Sequence, residues 1–350
     1  MTSTILPSSS NPDEKIAARR IGRFSVSEKL GTGSNGTVFL GHDPVIDRDV
    51  AIKILSNPVG VADKKQREQQ FINEARAAGR LSHPNIVTIF DASTEGGTTF
   101  IAMEFLQGQD LRDLMASGKK FDLIETVRII CKVAEALAYA HEHGVIHRDI
   151  KPANIFILPN QQPKVLDFGI ARLPNRVQGD NGQPGNTLFN NNVLGTPNYM
   201  SPEQALCQPV TAQTDIYSLG AVMYEMLTQR KPFQSNDIYK LLQLIAHKKP
   251  RPPSQLNPKI SDKLSNIVAK AMQKDPAARF SSAAEMANAL QKIITRDEKL
   301  KRRGASSAGN AFGNESENNS SFAAKPMNWI LGGIFVLAVI FVLFSVLRHS

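Results

Sequence analysis

Short runs of alternating apolar and polar positions dominate residues 24 to 106: FSVSEKL, TVFLGHD, DVAIKIL, IVTIFDAS and TFIAMEFL. A period of two puts every second side chain on one face, so these runs predict strands with one buried side. One stretch interrupts them, from about Lys64 to Leu81, where the spacing is helical. His83-Pro84 ends it, because the residue before a proline is driven out of the helical region. From 110 to 294 the pattern is mostly helical, as in ETVRIICKVAEALAYAHEHG and DIYSLGAVMYEMLTQ. A small β-rich lobe followed by a larger helical lobe makes an α+β, bilobal fold. The cleft between two such lobes is the natural place for chemistry.

The pattern changes at both ends. Residues 1–21 form a polar lead, expected to be disordered and not a signal peptide, since no apolar core follows a basic stretch. Residues 295–327 lose the apolar periodicity. They begin with Arg296, Lys299, Lys301, Arg302 and Arg303 and continue rich in Gly, Ser and Asn, which predicts a flexible linker. Residues 328–347, NWILGGIFVLAVIFVLFSVL, carry no charge, and as a helix they are apolar on every face. The nineteen residues from Trp329 to Leu347 span roughly 28 Å as a helix, close to a bilayer core of about 30 Å, and Trp329 stands where an interfacial aromatic belongs. This segment is expected to cross a membrane once. Only residues 348–350 follow it, too few for an outer sensor domain, so signals are expected from the cytosolic side or within the membrane.

The chain has 350 residues and a formal charge of +9, enough length for a sizeable core and a moderately basic balance. Where the charge lies matters more than its total. The 296–303 cluster precedes the apolar segment and only Arg348 is a full charge beyond it, so the positive-inside rule keeps the large N-terminal part cytoplasmic at the inner membrane. The same cluster suits anionic lipid, at about 1 kcal/mol per basic residue near the surface. A nucleic-acid partner is not expected. Cys131 and Cys207 are far apart, form no metal-type pair, and are expected to sit reduced in a cytosolic fold as small apolar residues.

Four constellations carry candidate chemistry. Gly31-Thr-Gly33-Ser-Asn-Gly36-Thr-Val38 lies between two strand-like runs, so its glycines bring backbone amides toward a phosphate from a hairpin and not from a helix N-terminus. Val50-Ala51-Ile52-Lys53 puts a cation on a strand, and Glu74, on the predicted helix, is the carboxylate expected to hold its ammonium toward phosphates, with Glu68 as the competing one, disfavoured by its position relative to HPNIV. His147-Arg148-Asp149-Ile150-Lys151-Pro152-Ala153-Asn154 packs a carboxylate, an ammonium and an amide into eight residues. Asp149 can take a hydroxyl proton, Lys151 can neutralise a transferring phosphoryl, Asn154 offers a neutral oxygen to Mg²⁺, and His147 reads as structural. Asp167-Phe168-Gly169, across a short hairpin from Asn154, adds a second oxygen ligand.

Taken singly, each of these is weak; in this order they resemble the eukaryotic-like Ser/Thr protein kinases, over residues 22–294, and most of all the bacterial transmembrane ones. HPNIV, HRDIKPANI, DFGIAR and GTPNYMSPEQ carry that likeness. The resemblance implies an ATP site lined by Leu30, Gly31, Gly33, Gly36, Val38 and Ala51. It gives Met103 as gatekeeper and Glu104 to Leu106 as the adenine hinge. Lys53 paired with Glu74 would hold the α- and β-phosphates, and Asn154 and Asp167 would hold Mg²⁺, with Mn²⁺ as a substitute. Asp149 would be the catalytic base and Lys151 its cationic partner. Thr196 would position a Ser/Thr substrate, Glu203 would pair with Arg279, and Asp215 would brace the catalytic loop. Substrates would be proteins, including the kinase itself, and a homodimer is compatible.

One departure concerns regulation. The stretch from Asp167 to Glu203 is long, and Thr187 is the only hydroxyl residue between Gly169 and Gly195. Thr187 is therefore the candidate phosphosite, with Arg148 as the expected phosphate partner. The competing reading, a pseudokinase scaffold at the membrane, calls for the loss of Lys53, Asp149 or Asp167, and all three are present.

Overall fold

A computed structural model describes residues 19–33, 36–56, 64–168 and 197–311. Of these, the residues up to 298 belong to one compact unit. Its N-terminal part is a six-stranded antiparallel sheet in the order β1-β2-β3-β4-β6-β5. The strands are β1 (Arg19–Ile21), β2 (Phe24–Gly33), β3 (Gly36–Asp43), β4 (Arg48–Leu55), β5 (Ile89–Glu95) and β6 (Thr98–Glu104). Helix α1 (Lys64–Ala78) stands between β4 and β5.

Period-two alternation sorts β4 into two faces. Val50 and Ile52, both fully buried, join Phe24, Val26, Phe100 and Ala102 in one small core. Each such side chain contributes roughly 1.5–3 kcal/mol by leaving water. On the opposite face Leu55 packs with Phe71, Ile72 and Ala75 of α1, and with Ile101 of β6. Ala51 and Lys53 share that face by register, so Lys53 is carried toward the cleft by the same alternation that buries Ile52.

The C-terminal part is helical. It contains α2 (Leu111–Ala116), α3 (Leu123–Glu142), α4 (Pro202–Ala205), α5 (Ala212–Thr228), α6 (Ile238–His247), α7 (Pro253–Leu256), α8 (Asp262–Ala271) and α9 (Ala283–Ala311). α3 starts at a capping box: the Asp122 side chain accepts from Glu125 N–H and Glu125 reaches back to Asp122 N–H. α5 is buried from Thr214 through Tyr224 and packs against both α3 and α8, which makes it the central post of this part. A small antiparallel sheet of β7 (Gln109–Asp110), β8 (Ile155–Ile157) and β9 (Pro163–Val165) faces the cleft.

The segment before β5 is laced to β9. Asn85 Nδ2 donates to the Pro163 carbonyl (2.7 Å), Val165 N–H to the Asn85 carbonyl (2.8 Å) and Val87 N–H to the Val165 carbonyl (3.0 Å). Lys164 Nζ adds an ion pair to Glu104 at 2.7 Å.

Two expectations need correction. The helical pattern was expected to stop at 294, but α9 continues to Ala311. The expectation followed the loss of apolar periodicity, whereas Arg296, Glu298, Lys299, Leu300, Lys301, Arg302 and Arg303 are good helix formers that carry the backbone on past 294. Cys131 is buried, as suits a small apolar residue, but Cys207 is exposed, with φ +56° just past the end of α4. No helix among the described residues is long and apolar enough to cross a membrane, and the 328–347 segment lies outside them.

Candidate active site

The cleft is built from both parts. Lys53, 5% exposed, donates from Nζ to Asp167 Oδ2 at 2.6 Å. Asp167 follows β9 and has a left-handed backbone, φ +54°. Burial pushes its carboxyl up, but the charge and hydrogen bond of Lys53, with His147 and Lys151 behind them, hold it below the usual carboxylate range. Next to it Phe168 is 3% exposed and lies against the His147 ring, with centroids 4.7 Å apart.

The loop that follows α3 is held mainly by one buried carboxylate. Asp215 of α5 is fully buried; its Oδ2 accepts from His147 N–H (2.8 Å) and meets His141 Nε2 (2.8 Å), while Oδ1 accepts from Arg148 N–H (2.7 Å). Arg148 sits at φ +65°, a conformation that costs a non-glycine residue about 1–3 kcal/mol and persists only where its surroundings enforce it. His147, also fully buried, bonds through Nε2 to the Leu166 carbonyl at 2.7 Å, tying this loop to the Asp167 turn.

Three side chains of the loop then converge. Lys151 Nζ donates to Asp149 Oδ2 at 2.7 Å. Asn154 Nδ2 donates to the Asp149 carbonyl at 2.8 Å, and its own carbonyl accepts from Leu166 N–H at 2.9 Å. Committing the amide nitrogen of Asn154 inward leaves its Oδ1 as the atom for a cation. Together with the carboxylate of Asp167 this is a hard-oxygen pair, which fits Mg²⁺ shared with phosphates.

A cavity of about 460 Å³ opens beside this cluster. Leu30, Gly31, Val38, Ala51, Met103, Glu104, Leu106 and Asp167, all candidates from the sequence, line it. Gly36, Lys53 and Asn154 lie outside its wall. Val87, Phe156 and Leu166 line it too and were not foreseen. Gly33 of β2 pairs with Gly36 of β3, and a side chain at 36 would collide with the Ile54 carbonyl.

This arrangement of a hairpin, a strand lysine, an Asp-x-Lys-x-x-Asn loop and an Asp-Phe pair after β9 has a match among known proteins. The protein kinase domain family covers residues 24–292. The chain belongs to that family. Among curated relatives, a probable serine/threonine-protein kinase of Streptomyces coelicolor is 37% identical over 273 residues, covering 77% of this chain and 39% of its own. Serine/threonine-protein kinase PknB of Mycolicibacterium smegmatis is 37% identical, covering 75% and 42%, and PrkC of Bacillus subtilis is 35% identical, covering 77% and 40%. The kinase-like chain thus spans about two fifths of the length of these curated relatives. The solved kinase domain of PknI from Mycobacterium tuberculosis is 27% identical with a TM-score of 0.62, covering 79% of this chain and 98% of that one.

Other kinase-family positions lie farther from the cavity. Glu203 and Arg279 form a buried bidentate pair, at 2.8 and 2.7 Å. Arg279 places its remaining donors on the carbonyls of Gln213, Lys274 and Gln273, so all five of its N–H groups are used. Tyr199, at the start of the segment leading to α4, donates to Glu225 of α5. Glu74 lies on α1, on the turns that bury Phe71, Ala75 and Ala78, but its side chain is outside the described residues. The same holds for Gly169, Thr187 and Thr196.

Proposed function

We propose that the chain is an ATP-dependent protein kinase that phosphorylates serine and threonine of protein substrates, itself included. The observation that carries this reading is the convergence of Asp149, Lys151 and Asn154 on one loop, beside the Lys53–Asp167 pair and the 460 Å³ cavity. The cavity wall of Leu30, Val38, Ala51 and Leu106 suits a flat apolar base, and Asp167, also in the wall, would face its phosphates. Asp149 accepts the proton of the attacking hydroxyl. A new oxygen–phosphorus bond forms as the β,γ-bridging bond breaks, and ADP leaves. Lys151 and Lys53 neutralise the charge that spreads over the phosphoryl oxygens. Asn154 and Asp167 are the residues that would hold Mg²⁺, or Mn²⁺ in its place; when bound, the ion screens phosphate charge. The protein's part is positioning and electrostatics.

Labelled ATP and a generic basic protein test the reading. Label is expected on serine and threonine only, and Asp149→Asn is expected to lose at least about a hundredfold in rate. Label on tyrosine, or equal rates for both proteins, refutes it.

The reading extends to location. Residues 328–347 anchor the kinase to the inner membrane, with the 296–303 cluster against anionic headgroups and the catalytic part in the cytoplasm. The apolar length and the flanking charge support this. Full-length chain is expected in the membrane pellet after alkaline carbonate washing, and chain cut before 328 in the supernatant. Release of the full chain by carbonate overturns the anchor. Thr187 remains the proposed phosphosite of its segment, and a homodimer the proposed assembly.

A further inference from the structure

We propose that Gln204 is a positioning residue for phosphoryl transfer, acting through the peptide that joins Arg148 to Asp149. This rests on the kinase reading above. Gln204 Nε2 donates to the Arg148 carbonyl at 2.7 Å. That carbonyl and the Asp149 N–H belong to one peptide plane, and Asp149 N–H donates to His147 Nδ1 at 3.2 Å. The plane is therefore held at both edges, by Gln204 on the oxygen and by His147 on the nitrogen. The residue before it is held separately, since Asp215 takes the Arg148 N–H. A left-handed Arg148 needs such constraint on both sides, and the Asp149 carboxylate takes its direction from the plane so fixed.

The other end of Gln204 explains why its amide faces this way. Its Oε1 accepts from Ser201 N–H (3.0 Å), and Ser201 Oγ accepts from Gln204 N–H (3.3 Å), a capping box on α4. With the oxygen engaged there, the nitrogen is turned to Arg148. α4 is itself fixed, because Pro202 is buried and Glu203 is bound to Arg279. The side chains of Gln204, Asp149 and Lys151 face one small cavity. Gln204 thus couples the anchored end of the segment beyond Asp167 to the proton acceptor. Gln204 is not among the residues that line the larger cavity.

Two substitutions separate this role from helix capping. Gln204→Glu keeps an acceptor for Ser201 N–H but removes the donor to Arg148. Gln204→Lys gives up that acceptor and restores a donor. In the full-length chain, steady-state phosphorylation of the basic protein is measured beside wild type and Asp149→Asn, with Tm and its shift on adding ATP as checks of folding. Gln204→Glu is expected to lose about tenfold in kcat at unchanged KM for ATP and unchanged ATP shift, and Gln204→Lys to recover most of that loss. Wild-type kcat in Gln204→Glu overturns the proposal. So do equal losses in both variants, or a loss confined to KM and Tm. A wild-type chain no faster than Asp149→Asn removes the kinase reading itself, which the other outcomes leave standing.

Discussion

At Gly36 a Cβ would stand 2.0 Å from the Ile54 carbonyl oxygen, whereas at Gly31 nothing lies within 4 Å. The two glycines belong to the same loop and serve different ends. Gly36 lets β3 pass close over β4; Gly31 lines the cavity, where a side chain has room. Gly36→Ala is expected to force the hairpin away from β4, costing about 1–3 kcal/mol and raising KM for ATP. Gly31→Ala is expected to leave urea-unfolding stability within about 0.5 kcal/mol of wild type. Comparable losses in both would show that loop flexibility, and not the contact with Ile54, governs Gly36. Sequence spacing brought out all three glycines alike, because the neighbour that distinguishes them is a carbonyl on another strand.

Among the elements, α4 and the turn before α9 depend on one buried pair. Removing the Glu203 side chain leaves the Arg279 guanidinium, itself 3% exposed, without its countercharge, an expected loss of about 3–5 kcal/mol for Glu203→Ala. Burial raises the Glu203 carboxyl, but the hydrogen bonds of Arg279 and Thr214 outweigh it, and the folded value lies below the ordinary one. The unfolded chain therefore takes up this proton first on acidification. Stability from Glu203 is fully present above the ordinary carboxylate value and is lost as pH falls toward the folded value. Urea unfolding between pH 7 and pH 4 is expected to show a steeper acid loss in wild type than in Glu203→Gln; parallel slopes would remove Glu203 from the acid response. The pair was legible only through resemblance. Its partners are 76 residues apart, and no periodicity connects them.

For the molecule as a whole, alternation and helical spacing were enough to separate a β-rich part from a helical one, and the chemistry-bearing residues 149, 151, 154 and 167 were legible because their types are unusual at that spacing. Val87, Phe156 and Leu166 were not, since each is one apolar residue in an apolar run and only the fold turns it toward the cavity. The three-residue strands β8 and β9 are too short to show a period. Their importance follows from what is fastened to them. Residues 85 to 87 and Glu104 leave the upper sheet at different points, yet both are attached to β9. Two attachments on one short strand define an axle. Any swing of one part against the other is expected to turn about that line, with little twisting or sliding across it. Hydrogen–deuterium exchange is expected to find the Val87 and Val165 amides slow with and without ATP, as the bearings of a joint stay still while its arms move; fast exchange there would mean that the lobes come apart.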